Sequence, residues 1–580
     1  MSRYDRMAGR STRLLNRLYA WRARKQPAAT GFVSQPEPRT IGSFARGRQL
    51  VAGNLLLAGY LVESTTTGLW EVTAPDAAFD AERHGFAWLD DLAAVGDIKA
   101  RVKAQNWVWG WIKAHGRGSG PGWSPDLTGR RVIRWINHAI FLLNGKERAE
   151  SEAFFRSLSQ QTWFLAHRWQ GATPGLPRFE ALAGLIYAGL ALQGQEALAD
   201  PAIRALSAEC DRQIDAQGGL PTRNPEELLE VFTLLTWTAA ALHEAGRSVP
   251  AAQTAAIERI APTLRTLRHS DGGLARFHGG GRGLEGWLDH ALAASHVSAR
   301  PVEGLAMGYA RLSARRTSVV IDAALPPQGR ASANGHASTL AFELTSGRRP
   351  LIVNCGSGET FGLEWRRAGR ATPSHSTLCL EGHSSARLAP PSRGTGQEEL
   401  VGGPTDVQIQ LEQLSDGSRF QGGHDGYARE FGLTHARTLD LGFDGRALAG
   451  EDMLVALDEA AERRCSKALD SHGERGIGFE IRLHLHPEVD ATLDLGGAAV
   501  SMALKSGEIW VFRHDGTCEL KLEPGVYLEK TRLKPRASKQ IVLSGRVIDY
   551  ATRVRWTLSK AQETAEAVRD LNRDDPEIFD

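Results

Sequence analysis

From about residue 45 to 300, apolar residues recur at the three- and four-residue spacing of a helix face, in segments parted by Gly, Pro or polar breaks. Arg131–Leu143, Arg178–Leu192 and Pro225–Leu242 read as such helices, and the Ala and Leu that fill them are good helix formers. After about residue 305 the period changes to short alternating runs bounded by Gly, Asp and Asn. Ser338–Leu344 alternates with Leu340, Phe342 and Leu344 on one face. Thr317–Ala323, Leu351–Cys355, Phe479–Leu485, Glu508–Arg513 and Gln540–Leu543 also read as strands, and Tyr309 sits on what reads as the first strand. The pattern predicts a multidomain α+β chain, a helical domain over 41–304 followed by an antiparallel β-sandwich over 305–557. A basic segment (1–40) precedes them, and a polar tail (558–580), read as a helix and an acidic end, follows.

The N-terminus carries Arg3, Arg6, Arg10, Arg13, Arg17, Arg22, Arg24 and Lys25, interleaved with Leu14, Leu15, Leu18, Tyr19 and Trp21. It lacks the continuous apolar stretch of a secretory signal, so a cytoplasmic protein is expected. Its spacing suits a basic amphipathic helix. The reading favours packing on its own protein with solvated arginines, and peripheral contact with anionic lipid is the alternative. No stretch reaches the length of a membrane-spanning helix.

Composition narrows the function. The 580 residues hold 69 Lys+Arg against 67 Asp+Glu, a net charge of +2, so no global field recruits nucleic acid. Five scattered cysteines (Cys210, Cys355, Cys379, Cys465, Cys518) form no C-x-x-C pair, which argues against a zinc ribbon or disulfide framework. Ten of the 15 tryptophans precede residue 170. Such rings can stack on sugars, and Trp109 and Trp169 are the candidates for that role. The plainer reading is that they fill space between helices.

There is no P-loop, H-E-x-x-H or G-x-S-x-G. Gly281–Gly286 matches G-x-G-x-x-G but follows no buried strand, so it is no dinucleotide site. His484-Leu-His486 shares one strand face and reads as an ordinary surface pair. Four segments stand out. Gln217–Glu227 ends in Asn-Pro-Glu-Glu, a good helix start in which Asn224 caps and Glu227 closes a capping box. Arg268–Gly283 places His269 and His278 on a glycine-rich loop. Asn334–Ser338 and Trp365–Leu378 contribute His336 and then Arg366, Arg367, Arg370 and His375.

At these residues the chain resembles the heparinase II/III superfamily of polysaccharide lyases. The resemblance rests on Gly218–Pro225, on Gly335–Leu344 with Leu351–Gly356 (ending Asn-Cys-Gly), and on the Trp365–Thr377 segment. Phe431–His435 and Arg482–Pro487 also look like this group's C-terminal domain, and the similarity spans most of 40–556. It implies an (α/α) toroid followed by antiparallel sheets, with an acidic polysaccharide or oligosaccharide in the cleft between them. The implied chemistry is β-elimination at a uronic acid. The sugar carboxylate is neutralised, a base removes the C5 proton, and an acid protonates the departing oxygen.

Carried over position by position, Asn224 matches the carboxylate-neutralising site. His278 lies near where the family places its catalytic Tyr, His336 matches a cleft-facing histidine, and His375 matches a histidine of the later segment. Arg223, Arg366 and Arg370 are candidate carboxylate or sulfate binders. Two departures stand out. Ser338 occupies a position where many relatives have an Asp that supports a metal site, so no cofactor is expected and a structural metal such as zinc is left unassigned. No Tyr lies in the 270–285 loop, which leaves His278, or Tyr309 reaching over, as the base.

Three readings follow. A uronate lyase leads. A glycoside hydrolase on a similar toroid would need two carboxylates facing one cleft, drawn from Asp271, Glu180, Asp289 and Glu230. A non-catalytic carbohydrate-binding or scaffold protein on the same fold is supported by the missing Tyr and Asp, whereas Asn224, His336 and His375 together speak against it.

Overall fold

The computed structural model describes residues 3–34, 37–63, 68–298, 302–392 and 396–561. Side chains of residues 3–10 and of residue 474 lie outside the description. The reading of a polar tail from 558 falls mostly outside it too; within it, Leu558–Lys560 belong to the last strand.

The helical half is built around Leu176–Ala191, a helix buried on all sides from Phe179 to Ala191. It packs against Pro125–Asn137, Arg148–Arg168, Ala199–Gln213 and Pro225–Glu244. A helix apolar all round must be enclosed, and here its neighbours do the enclosing. Close approach to Pro125–Asn137 depends on two glycines. A Cβ on Gly184 would lie 2.5 Å from Gly129 Cα, and one on Gly129 would lie 2.1 Å from the Glu180 carbonyl oxygen.

Two expectations change here. The segment expected as one helix over Arg131–Leu143 breaks at His138, whose φ of −101° and ψ of 19° leave the helical region, so Pro125–Asn137 and Ala139–Leu143 are separate. A small hairpin, Asn54–Leu57 with Tyr60–Glu63, interrupts the helical region.

The tryptophans of the helical core fill space. Trp88, Trp111 and Trp135 are fully buried, and Trp135 stacks on Phe154 at 5.3 Å between ring centres. The N-terminal helix Arg3–Ala23 divides the earlier reading. Asn16, Ala20 and Ala23 are buried, and Tyr19 stacks on Trp163 of Arg148–Arg168, so it does pack on its own protein. Leu14, Leu18 and Trp21 nevertheless face solvent.

The C-terminal half is two antiparallel sheets. One runs in spatial order Glu519–Tyr527, Arg536–Val547, Ile477–Leu485, Arg349–Val353, Phe342–Ser346, Thr317–Asp322, Tyr309–Ala314. The other contains Val407–Gln413, Gly417–Tyr427, Leu433–Gly442, Ala447–Val455, Ala551–Lys560, Ile509–His514, Ala499–Ala503 and Asp490–Asp494. Leu433–Gly442 alternates buried and half-buried along its length, as a strand with one face on the core should.

Thr317–Asp322 is buried on both faces, because the second sheet covers one side and the helical domain the other. Leu312, Val319, Ile321 and Phe342 pack towards the second sheet, whereas Tyr309 and Val320 pack with the helical core. Register pairs Tyr309 with Asp322 and Val320 with Glu343. The two-residue period therefore puts Tyr309, Asp322 and Glu343 on the face that meets the helices. The strand expected over Ser338–Leu344 begins at Phe342 instead, because Leu340 has a φ of +64° and turns the chain.

Replacing Gly184 by Ala is expected to force the two helices apart and to destabilise by about 1–3 kcal/mol, the usual range for overpacking. Denaturant midpoints of Gly184→Ala beside wild type test this, and Gly31→Ala, whose Cβ meets nothing within 4 Å at a φ open to any residue, controls for a glycine loss alone.

Candidate functional site

Pro225–Glu244 starts as its sequence predicts: Asn224 Oδ1 accepts from the Glu226 and Glu227 amides, at 3.0 and 3.2 Å. The capping box is not closed; the Glu227 carboxylate lies instead by the start of Leu176–Ala191, where a Cβ on Gly175 would meet its Oε1 at 3.6 Å. Glu226 takes a different part: its Oε2 accepts from the Gly281 amide (2.8 Å) and from Lys530 Nζ (2.7 Å). This draws the Phe277–Gly281 loop across the helix start. A Cβ on Gly280 would stand 2.6 Å from Asn224 Oδ1, so only glycine permits the approach.

That loop places His278, held at φ +47°, against the β domain. Its Nδ1 accepts from the His336 backbone amide at 3.0 Å, so the ring proton lies on Nε2, which faces Asp322 Oδ2 at 3.3 Å. Asp322 Oδ1 accepts from Arg223 at 2.6 Å, and its Oδ2 accepts from the Ser338 hydroxyl at 2.7 Å. Asp322 is completely buried. Burial opposes its ionisation, but Arg223 and His278 outweigh that and hold the carboxyl below the ordinary range.

The predicted residues separate into groups. Tyr309, His278, His336 and His375 form a row of rings, with successive centres 6.3, 6.2 and 5.1 Å apart. Asn224 lies beside it. The Tyr309 hydroxyl donates to the Arg223 carbonyl at 2.5 Å. Burial lifts the phenol well above its usual range and lowers all three imidazoles, His375 to about 3. These histidines are therefore neutral near pH 7. None of the four rings is more than 2% exposed. Both ring nitrogens of His336 and of His375 lack a hydrogen-bond partner.

The other candidates have structural work. Arg223 is not free for substrate: its guanidinium also donates to the carbonyls of Met307, Gly308, Ala324 and Leu325 and lies over the Tyr309 ring. Arg370 is buried and donates to the carbonyls of Gly335, Ser332 and Glu398. Arg366, half-buried, holds Ala333 O and Asn334 Oδ1. Trp109 stacks on Phe154 at 5.9 Å, and Trp169 packs on the helical core. Neither contacts the ring row. His484 and His486 are buried rather than superficial: His484 Nε2 donates to Pro373 O, and His486 packs on Tyr527.

The structure adds Glu343 and Arg276, which the sequence did not single out. Glu343 takes the Arg276 amide and faces His269 Nε2 at 3.3 Å, and Arg276 reaches Leu528 O and the Tyr527 face. Deeper in the toroid, Glu180 pairs with Arg130. Burial raises Glu180 to about 7 and Glu230 to about 8, and the Glu230 rise is reinforced by Glu226 and Glu180. Of the other carboxylates considered for hydrolysis, Asp271 faces Arg282 and Asp289 pairs with Arg268.

A zinc shell is not completed. Two imidazoles approach each other, but Ser338 is committed to Asp322. Among the described residues no group of three or more His, Cys, Asp or Glu is arranged to hold a metal. All five cysteines are free, and only Cys518 is not buried.

Comparison with known proteins follows the same lines. The family model "Heparinase II/III-like, C-terminal" matches residues 297–557. The "FtsZ-localized protein C" of Caulobacter vibrioides (strain NA1000 / CB15N) is 30% identical over 549 residues, covering 92% of this chain and 91% of its own. A crystal structure of heparinase III overlays with a TM-score of 0.66 at 13% identity, over 95% of this chain and 89% of its own. A mutant heparan sulfate lyase of Pedobacter heparinus overlays at 0.57 and 14% identity, over 96% and 89%. These structural likenesses carry the fold, a helical toroid followed by antiparallel sheets.

Two outcomes are expected. Asp322→Ala leaves Arg223 buried without its carboxylate and should cost about 3–5 kcal/mol, read from urea midpoints. His375 has a folded pKa below its unfolded value of 6.5, so the unfolded chain binds more protons between pH 6.5 and about 3. Stability should fall as pH drops through that window, and His375→Gln should flatten the profile measured by pH-dependent unfolding.

Proposed function

Because this chain belongs to the heparinase II/III-like family, we propose that it is a binding member of that family, working by association on a lyase fold rather than by eliminating sugar. The observation that carries this reading is the sealing of the ring row. The lone pair of His278 is engaged by a backbone amide, the Tyr309 proton by a carbonyl, and all four rings are buried. A general base must reach the proton it removes, directly or through one water. The name of the Caulobacter relative records localisation with FtsZ, so a protein of the FtsZ-associated apparatus is the partner we assign. A cytoplasmic setting, suited to five free cysteines, belongs to the same proposal.

A second reading is favoured by one feature. Asn224 and four unpartnered imidazole nitrogens lie together in the seam between the domains. If the seam opens, Asn224 could neutralise a uronate carboxylate. His278 or Tyr309 could then act as base, with His336 or His375 beside them and Arg366 at the rim. An acidic oligosaccharide would be the substrate, as the titles of the lyase neighbours suggest.

One experiment separates the two. The full chain is incubated with a panel of uronate polymers and oligosaccharides while the absorbance of the conjugated C4–C5 double bond is followed. Co-pelleting with assembled FtsZ is measured in parallel. The binding reading expects co-pelleting, and no absorbance change in wild type or in Asn224→Ala and His336→Ala. An absorbance rise in wild type that both substitutions abolish establishes the lyase reading instead.

A further inference from the structure

Over residues 12–25 the N-terminal helix and the turn after it present a packing side, an apolar side and a basic border. Asn16, Tyr19, Ala20 and Ala23 form the packing side, fixed by Arg168 donating to Asn16 Oδ1 at 2.8 Å and by stacking of Tyr19 on Trp163. On the opposite side Leu14 is 63% exposed, Leu18 46% and Trp21 48%, with Leu15 also exposed. At 3.6 residues per turn these four fall within an arc of roughly 120°. Arg13, Arg17 and Arg24 line one border of that arc, and Arg22 and Lys25 stand at its C-terminal end. The guanidinium of Arg24 and the ammonium of Lys25 lie 5.4 and 5.8 Å from the Trp21 ring.

A soluble helix normally turns its leucines inward. Here alanines and an asparagine are buried while leucines and a tryptophan face water, so the outward face is unpartnered. Charge indicates what covers it. Residues 1–25 hold eight Lys or Arg and one acid, Asp5. The other 555 residues are left with 61 cationic against 66 acidic side chains, so the body is net acidic. A second copy would bring the same five cations of residues 11–25 against these five, which disfavours self-association through this face. An anionic lipid surface answers both features. The leucines and the indole enter the headgroup boundary while the flanking arginines meet the phosphates.

We propose that residues 11–25 are a peripheral membrane-binding helix that lies in the plane of an anionic bilayer. The site is independent of the interdomain seam, and it stands or falls separately from the binding and lyase readings. No helix among the described residues is long and apolar enough to cross a membrane, so the contact is interfacial.

The test is flotation of the full chain with vesicles of phosphatidylcholine alone and with vesicles also containing phosphatidylglycerol. Binding is expected on the anionic vesicles, weakening as salt rises and near background on the neutral ones. Leu18→Glu with Trp21→Glu should abolish flotation. Each of Arg13→Ala, Arg17→Ala and Arg24→Ala should weaken it about five-fold. These positions are exposed, so circular dichroism and the denaturant midpoint should remain at wild-type values. Absence of flotation on anionic vesicles, or flotation undiminished in the Leu18/Trp21 variant, overturns the proposal. Concentration-dependent self-association that the same variant removes, without vesicle binding, would assign the face to a second copy.

Discussion

A single buried carboxylate, Asp322, governs how the two halves meet. It ends a strand whose two faces are both covered, so its charge must be compensated by protein groups. Arg223 comes from the turn before the Pro225–Glu244 helix, His278 from the glycine-rich loop, and Ser338 from the turn entering the next strand. Three segments of both domains are thereby fixed to one atom pair. Arg223 extends the effect, because its other donors satisfy four carbonyls of the 307–325 stretch. Glu343, opposite Val320 on the same face, repeats the scheme with His269 and Arg276. The seam between the domains is therefore a polar lattice with directional bonds, which fixes relative placement more sharply than apolar packing would.

This lattice sets the orientation of the residues that resemble catalytic ones. His278 is neutral and oriented, but its orientation comes from donating towards Asp322 and accepting from His336 N–H. Tyr309 is opposite Asp322 in register and is drawn to the Arg223 carbonyl. Ser338 fits the same logic. Its hydroxyl donates to Asp322, whereas a carboxylate at that position would set two negative charges against each other in a buried site. With Asp322 acting as the interdomain anchor, the serine is the compatible residue.

The sequence revealed the elements whose causes are local. Asn224-Pro225-Glu226-Glu227 announced a helix start, and the apolar run of Arg178–Leu192 announced a helix, though not that it is enclosed on all sides. The period change near residue 305 marked the passage to sheets. Distant pairings were not legible. Lys530 reaches Glu226 across 304 positions, and nothing near either residue signals it. Asp322 looked like the end of one more strand. The arginines were read as ligand binders because exposed and buried guanidinium groups have the same letter in a sequence, and burial decides between them. His138 and Leu340 broke expected elements through backbone conformations that side-chain periodicity does not encode. For Leu14, Leu18 and Trp21 the amphipathic period was correct, but a period does not tell which face meets the protein.

A rigid, inward-looking frame and an outward-looking helix make different demands on stability, and the chain keeps them apart. The seam gains from burial and is lined by neutral histidines. The helix borders the protein through two alanines, a stacked tyrosine and a polar contact, which leaves its leucines and Trp21 for another surface. A helix with three leucines, one indole and a handful of cations binds a bilayer reversibly, because interfacial affinity grows with buried apolar area and each adjacent cation adds only about 1 kcal/mol. Such a contact gains residence when a second tether raises the local concentration of the helix at the surface. A binding partner engaged elsewhere on the fold would supply that tether without any new contact at the helix. Under the proposed reading, association and membrane contact therefore reinforce each other, and neither requires the buried ring row to turn over substrate.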